Sequence, residues 1–222
     1  MDEEKEFLKN YNADDYQHPS VTVDMLIFTV IEDKLKLMLI KRKNPPYKNK
    51  WAIPGGFVEI NESVDSAAMR ELAEETGITF TFMEQFGVFG EVDRDPRTRV
   101  ISIAYLALVP SECLKEMKAG DDAKEVELFD IKELPELAFD HYAIIMTGWN
   151  RLREKLEYTK IAFELLPEEF TIQDIQKVYE SILGYSLDKA NFRRMIKSKF
   201  ELEDTGKVRK VYQRPSKIWR LA

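Results

Sequence analysis

Three features of the 222-residue chain predict an α+β fold in two parts. Runs of β-branched and alternating apolar residues mark short strands up to about residue 130, patterns of helical period interrupt and follow them, and the sign of the charge changes near residue 160. The expected organisation is a layered domain over residues 1–155, then a linking helix and a small helix-and-ribbon domain over residues 156–222. With 44% hydrophobic and 33% charged residues, nine glycines and nine prolines, the composition is that of a folded globular protein and excludes collagen-like and disordered classes. Apolar runs such as Val100–Pro110 are far shorter than the roughly 20 residues of a membrane span. The start MDEEKEFLKN is acidic where a secretion signal is basic and then apolar. Neither secretion nor a membrane partner is expected. The single cysteine, Cys113, makes no internal disulfide and no multi-thiolate zinc site, and reads as inert packing in a reducing, cytoplasmic compartment.

Residues 21–31 (VTVDMLIFTVI) and 35–42 (LKLMLIKR) are β-branched or alternating, and the polar EDK between them makes a hairpin. The loop KNPPYKNK follows, its two prolines excluding regular structure. After WAIPGGFVEI, Asn61-Glu62-Ser63 introduce a helix that runs to Gly77, a natural stop. Strands are expected at about 79–89, 99–109 and 124–130, and a long helix from Asp140 to about Tyr158. In the second part Thr171 is an N-cap with an acid, Asp174, three residues on. Ile172, Ile175, Val178, Tyr179 and Ile182 follow at helical spacing up to Gly184. A short helix begins near Asp188, and VRKVYQRPSKIWRL reads as a two-stranded ribbon around the turn signals Thr205-Gly206 and Arg214-Pro215-Ser216. Helix, turn, basic helix and ribbon is the order of a winged helix-turn-helix domain.

The net charge of −7 conceals an asymmetry. Residues 1–159 hold 20 basic against 31 acidic side chains, residues 160–222 hold 13 against 9, and the last 39 residues hold 11 against 4. A basic module on an acidic body suits an anionic partner; a lysine-rich solvated surface is the plainer alternative. On the helix from Asp188, Lys189, Arg193 and Lys197 fall on one side with Arg194 beside them, and Phe192, Met195 and Ile196 face inward. Asn191, Arg193 and Arg194 are of the types that reach base edges, and Lys207, Arg209 and Lys210 in the ribbon would add backbone contacts to double-stranded DNA. Such contacts weaken with salt. An appendage used only for dimerisation is the competing interpretation.

The densest chemical signal lies between Gly56 and Ile78. At about 100° per residue, Glu71, Glu74 and Glu75 occupy an arc of about 100°, with Ala68, Met69 and Leu72 on an adjoining apolar side. Carboxylates so crowded repel unless a cation joins them. Hard oxygen ligands with positions left for water and phosphate are what Mg²⁺ prefers, and Mn²⁺ tolerates the same set. A solvated helix face with charges four apart is the plainer alternative.

The full spacing, Gly56, Glu62, Arg70-Glu71-Leu72, Glu74-Glu75, Gly77-Ile78, resembles the Nudix box G-x5-E-x7-R-E-U-x-E-E-x-G-U, where U is bulky and aliphatic, at every position. The resemblance implies a Nudix α/β/α sandwich that cleaves nucleoside diphosphates linked to another moiety with Mg²⁺ or Mn²⁺. It also implies that Glu71, Glu74 and Glu75 ligate metal, that Glu62 and Arg70 support loop and helix, and that Gly55 or Gly56 lets a backbone carbonyl approach the metal. A metal on the diphosphate oxygens neutralises the leaving phosphate and lowers the pKa of bound water. Outside the box, Glu91 is a candidate general base, with a surface loop position as the alternative.

The loop from Glu91 to Arg99 places three arginines beside a proline turn, and guanidinium forks suit phosphate and ribose oxygens. DRDPR with RVISIAYLAL, PPYKNKWAIPGGFVE, GDDAKEVELFD and LPELAFDH is similar to Nudix proteins that act on or sense ADP-ribose. On that resemblance Arg94 and Arg97 contact phosphate or ribose and Tyr47 or Trp51 stacks on a base; pairing of the arginines with Asp93 and Asp95 is the alternative. Of the two histidines, His18 and His141, the latter reads as a satisfied structural residue. The stretch AFELLPEEFTIQDIQKVYESILGYSLDKANFRRMI resembles the C-terminal winged helix of Nudix-related transcriptional regulators, in which a Nudix domain senses a metabolite and a homodimer releases operator DNA. Many such regulators have a damaged box, whereas this chain keeps every box carboxylate. The implied function is a regulator sensing ADP-ribose or a related nucleotide and retaining Mg²⁺-dependent pyrophosphohydrolase activity. The alternatives are an ADP-ribose pyrophosphatase whose tail only dimerises, and a sugar-responsive regulator.

Overall fold

A short helix, α1 (Glu3–Asn10), precedes the first long strand, β1 (Ser20–Ile31). The chain reverses at Glu32-Asp33 into β2 (Lys34–Arg42), with Ile31 opposite Lys34. Both turn residues have positive φ, 51° and 61°. That conformation matches the twist of the paired strands, and the acidic pair forms it without glycine. The computed structural model describes residues 2–77, 82–116, 123–211 and 214–222, and of residues 75, 76, 115, 116, 123, 124, 211 and 214 the backbone alone. The remaining elements of the first part are β3 (Trp51–Ala52), β4 (Gly55–Phe57), α2 (Val64–Thr76), β5 (Phe82–Phe89), β6 (Val100–Leu108), β7 (Ala123–Asp130) and α3 (His141–Lys155). Of the strand expected over about 79–89, Phe82–Phe89 is described as β5, and residues 79–81 lie outside the described residues.

The sheet runs β3-β2-β1-β6-β5, with β4 also on β1 and β7 also on β2. Only β1 and β6 are parallel among these pairs. A central strand covered on both faces needs apolar residues on both, which is why β1 is buried from Val23 to Thr29. Its side chains divide by parity. Val23, Met25 and Ile27 pack with Ala67, Ala68 and Leu72 of α2, whereas Leu26 and Phe28 pack with Ile144, Ile145 and Leu152 of α3. The result is an α/β/α sandwich with the box helix on one face and α3 on the other.

The second part holds β8 (Phe170–Thr171), α4 (Ile172–Leu183), α5 (Lys189–Lys199), β9 (Leu202–Val211) and β10 (Arg214–Leu221), with sheet order β8-β10-β9. Thr171 and Asp174 form a complete reciprocal capping box, and Gly184 ends α4 at φ 84°. Thr205-Gly206, expected at the ribbon turn, lies inside β9. Gly206 takes φ 74° there, the Thr205 hydroxyl donates to the Ile218 carbonyl at 2.9 Å, and the register against β10 shifts between Lys217 and Trp219. A glycine inside a strand marks a bulge as readily as a turn. Cys113, expected as packing, is exposed in a 3-10 turn over Ser111–Glu116. Among the described residues no helix is long and apolar enough to cross a membrane.

Candidate functional site

The box helix is fixed at both ends. The Ser63 hydroxyl accepts from the Ser66 N–H at 3.1 Å, and Gly77 closes α2 at φ 73°. Arg70 organises the space between this helix and the preceding loop. Its Nε and NH2 donate to the two oxygens of Glu62 at 3.1 and 2.6 Å, NH2 also to the Phe57 carbonyl at 3.1 Å, and NH1 to Glu71 at 2.7 Å and Glu74 at 3.2 Å. Glu62 in turn accepts from the Glu59 N–H at 2.9 Å. The Arg70 guanidinium holds the Glu62 carboxyl below its ordinary value.

Glu71 is the buried acid of the set, 9% exposed. Burial pushes its carboxyl above the usual carboxylate range despite the adjacent Arg70. A Cβ at Gly56 would overlap the Glu71 carboxylate, and one at Gly55, where φ is 158°, would overlap the Val23 carbonyl. Gly56 therefore lets β4 run close beneath the acidic helix, and Gly55 lets it lie close against β1. Among the described side chains no three acids, histidines or cysteines converge as a ready metal cage. The Glu75 side chain, expected as a ligand, lies outside the described residues. Glu71, Glu74 and a carbonyl of the Gly55-Gly56 strand are hard oxygen donors beside open space, a set that fits Mg²⁺ or Mn²⁺ with waters and ligand oxygens completing the shell.

That space is a cavity of about 490 Å³, bounded on one side by Gly56, Glu71 and Glu74 and on the other by Ile40, Arg42, Phe139 and His141. Arg94 and Arg97 both line it. Arg97 pairs with Asp95 through two bonds of 3.0 and 2.7 Å, and its guanidinium carbon stands 5.5 Å from the Phe57 ring and 5.9 Å from that of Phe139. Arg94, its side chain 5% exposed, forks onto Asp140 at 2.9 and 2.8 Å and approaches Asp24 at 3.5 Å. The partner of Arg94 is thus Asp140 rather than Asp93. Asp24 lies on the cavity floor, accepts from the Ser102 hydroxyl, and stands 3.9 Å from Nε2 of His141. His141 is structural, as its Nδ1 accepts from the Ile53 N–H at 2.9 Å, yet it also lines the cavity. Burial lowers its pKa, so the ring is neutral.

Three expected residues stand apart. Trp51 packs edge-on against Phe129 at 4.7 Å beneath Lys41, away from the cavity. Tyr47 packs edge-on with Phe139 at 4.7 Å, with the Lys50 ammonium 5.8 Å from its ring, outside the cavity lining; the aromatic surfaces inside are Phe139 and Phe57. Glu91 is exposed and outside the cavity lining, engaged through its carbonyl by Arg99 at 3.1 Å. Asp24, Arg42, Phe57 and Phe139 were missed. Asp24 had a signal, as the one charged residue of β1 and one set among its buried apolar residues.

On α5 the side chains of Lys189, Asn191, Arg193, Arg194 and Lys197 are all exposed, while Phe192 and Ile196 are buried. Asn191 accepts from Arg194 at 2.7 Å, and the Lys197 ammonium stands 4.1 Å over the Trp219 ring. In the ribbon Lys207 and Arg220 pair with Glu169 at 2.8 and 2.6 Å, Lys217 pairs with Asp204 at 2.6 Å, and Arg209 pairs with Asp174; Lys210 is exposed.

Comparison with known proteins agrees with this geometry. The NUDIX domain family matches residues 21–147, and the NrtR DNA-binding winged helix domain matches residues 162–221. The chain is 35% identical over 221 residues to the ADPR responsive transcriptional repressor NtrR of Acinetobacter baylyi, covering 99% of this chain and 88% of that one. It is 50% identical over 141 residues to the ADP-ribose pyrophosphatase of Methanocaldococcus jannaschii, covering 64% of this chain and 78% of that one. Shewanella oneidensis NrtR complexed with a 27mer DNA superposes with a TM-score of 0.80 at 31% identity, covering 91% of this chain and 93% of that one. The NUDIX domain of the same protein complexed with ADP ribose superposes with a TM-score of 0.61 at 30% identity, covering 67% and 98%. The chain belongs to the Nudix family, as a two-domain member that carries an NrtR-type DNA-binding winged helix after its Nudix domain.

Proposed function

We propose that this protein is a cytoplasmic transcriptional regulator that binds a double-stranded DNA operator as a homodimer and responds to ADP-ribose or a related nucleotide in the Nudix cavity. The observation that carries the reading is the coexistence in one chain of two anion-binding surfaces of different design. The cavity sets the buried Arg94 and the more exposed Arg97 against acids under the box helix, suited to one diphosphate, while α5 holds a row of exposed cations beside Asn191, suited to a duplex. Likeness to an ADPR responsive repressor over nearly the whole chain supports it. The test is anisotropy of a duplex enriched from a random library by this protein, titrated with and without ADP-ribose. The expected result is sub-micromolar binding that ADP-ribose changes several-fold; no binding at low salt overturns it.

The same cavity supports a second activity, Mg²⁺-dependent hydrolysis of ADP-ribose to AMP and ribose phosphate. The retained box carboxylates favour it. Arg70 holds Glu62, Glu71 and Glu74 in one arc, Gly56 leaves room for the buried Glu71, and Arg94 and Arg97 orient the anionic ligand. Glu71, Glu74 and Glu75 with a Gly55 carbonyl would hold Mg²⁺, which would supply charge neutralisation and an acidified water. AMP formation abolished by Glu75→Gln, with the fold retained, is the expected result. A ligand-induced rise in melting temperature without AMP would leave the box a sensing site.

A further inference from the structure

The two anion-binding surfaces are joined by one helix. At its N-terminal end Asp140 occupies the N-cap position of α3, yet its carboxylate does not cap the helix and is instead held by both nitrogens of the Arg94 fork. One residue on, His141 takes the Ile53 N–H at the cavity wall. At the other end, the Trp149 indole N–H donates to the Ile182 carbonyl at 2.9 Å and Arg153 to the Leu183 carbonyl at 2.8 Å. These are the last carbonyls of α4, the groups a helix leaves without partners. The return contact comes from α5, where the Lys199 ammonium donates to the Leu156 and Glu157 carbonyls at 2.9 and 2.6 Å, just past the end of α3. The C-terminal end of α4, which leads into α5, is thus capped by side chains of α3, and the last residue of α5 is tied to the segment that leaves α3. Midway, Gly148 lies so close to the sheet that a Cβ would overlap Leu26, two residues from Asp24 in β1. At that point the α3 backbone rests directly on the Leu26, Phe86 and Leu106 side chains of the sheet.

We infer that α3 is the lever that carries occupancy of the cavity to α5, with the Arg94–Asp140 pair as its input and the Trp149 and Arg153 bonds to the end of α4 as its output. The inference rests on the reading that ADP-ribose regulates DNA binding, and adds the route. A diphosphate competes with Asp140 for Arg94. The freed carboxylate then takes the first-turn N–H groups of its own helix, so the two states differ in a definite set of bonds, as a ligand-driven shift requires. Contact at Gly148 makes the helix turn about the sheet instead of absorbing the change locally.

The test uses the full chain carrying Trp149→Phe and Arg153→Met, both remote from the cavity lining. ADP-ribose affinity, by calorimetry, and ligand-free affinity for the enriched duplex are expected to stay within about two- to threefold of the wild type. The effect of saturating ADP-ribose on duplex affinity is expected to fall from about tenfold to about twofold. A full response in the double variant overturns the lever while leaving the regulator intact. A wild type that ADP-ribose does not affect overturns the regulatory reading and the lever with it. Hydrogen exchange on the wild type decides the matter even if the variant folds poorly: ADP-ribose should alter exchange at residues 184–188, and unchanged exchange there while DNA is released overturns the proposal.

Discussion

Gly56 and His141 illustrate what single residues decide. Because a Cβ at Gly56 would overlap the Glu71 carboxylate, Gly56→Ala is expected to displace that acid and lower AMP formation by about 100-fold. Thermal melting checks that the fold survives. His141 is buried and neutral with a lowered pKa, whereas in the unfolded chain it protonates near its ordinary value. The unfolded state therefore binds the extra proton as pH falls below about 6.5, and stability falls with it down to the folded pKa. Urea midpoints at pH 7.5 and 5.5 should differ in that direction, and His141→Asn, which keeps an acceptor for Ile53, should narrow the difference. The box was legible because its function requires fixed spacing along one helix. Phe139 was not, because its place in the cavity depends on a backbone at φ 51° and on packing against Arg42 from a distant strand.

Elements were legible wherever local chemistry agreed with the tertiary environment. The Thr171 cap, the Gly77 and Gly184 stops and the β1–β2 hairpin each carry their own signal. The short strands β3 and β4 carry none, since two or three residues show no period and exist only through pairing with β2 and β1. Thr205-Gly206 misled because a turn dipeptide and a strand bulge use the same backbone freedom. Thr171 is fully buried and its hydroxyl accepts from Asp174 N–H at 3.2 Å. Thr171→Val should therefore cost about 1–2 kcal/mol, seen as a lower urea midpoint at unchanged slope.

Over the whole molecule, the division near residue 155 read from charge and composition does not interrupt the packing. Leu26, Ile144 and Leu152 belong to the same buried cluster as Ile175, Val178, Ile182 and Phe192. The full chain should then melt in one transition. Residues 1–155 alone, with that face bared, should melt lower by about 5 °C or more in a calorimetric scan. An equal melting temperature would show that the junction contributes nothing to stability.

The ion pairs of the wing bear on how this protein grips DNA. Lys207, Arg209, Lys217 and Arg220 arrive already matched to Glu169, Asp174 and Asp204, so the ribbon carries its counterions with it. A phosphate meeting these cations displaces a tethered carboxylate, and the cation that the phosphate sheds is offset by one gathered at the freed carboxylate, so the net release of ions is small. Among the described cations of α5 and the ribbon, Lys189, Arg193, Arg194 and Lys197 on the helix and Lys210 on β9 remain to shed salt. The logarithm of duplex affinity should then fall against the logarithm of salt with a slope of about −4 to −5 per subunit, shallower than the basic residue count implies. Glu169→Gln, by stripping one of those built-in counterions, should steepen it.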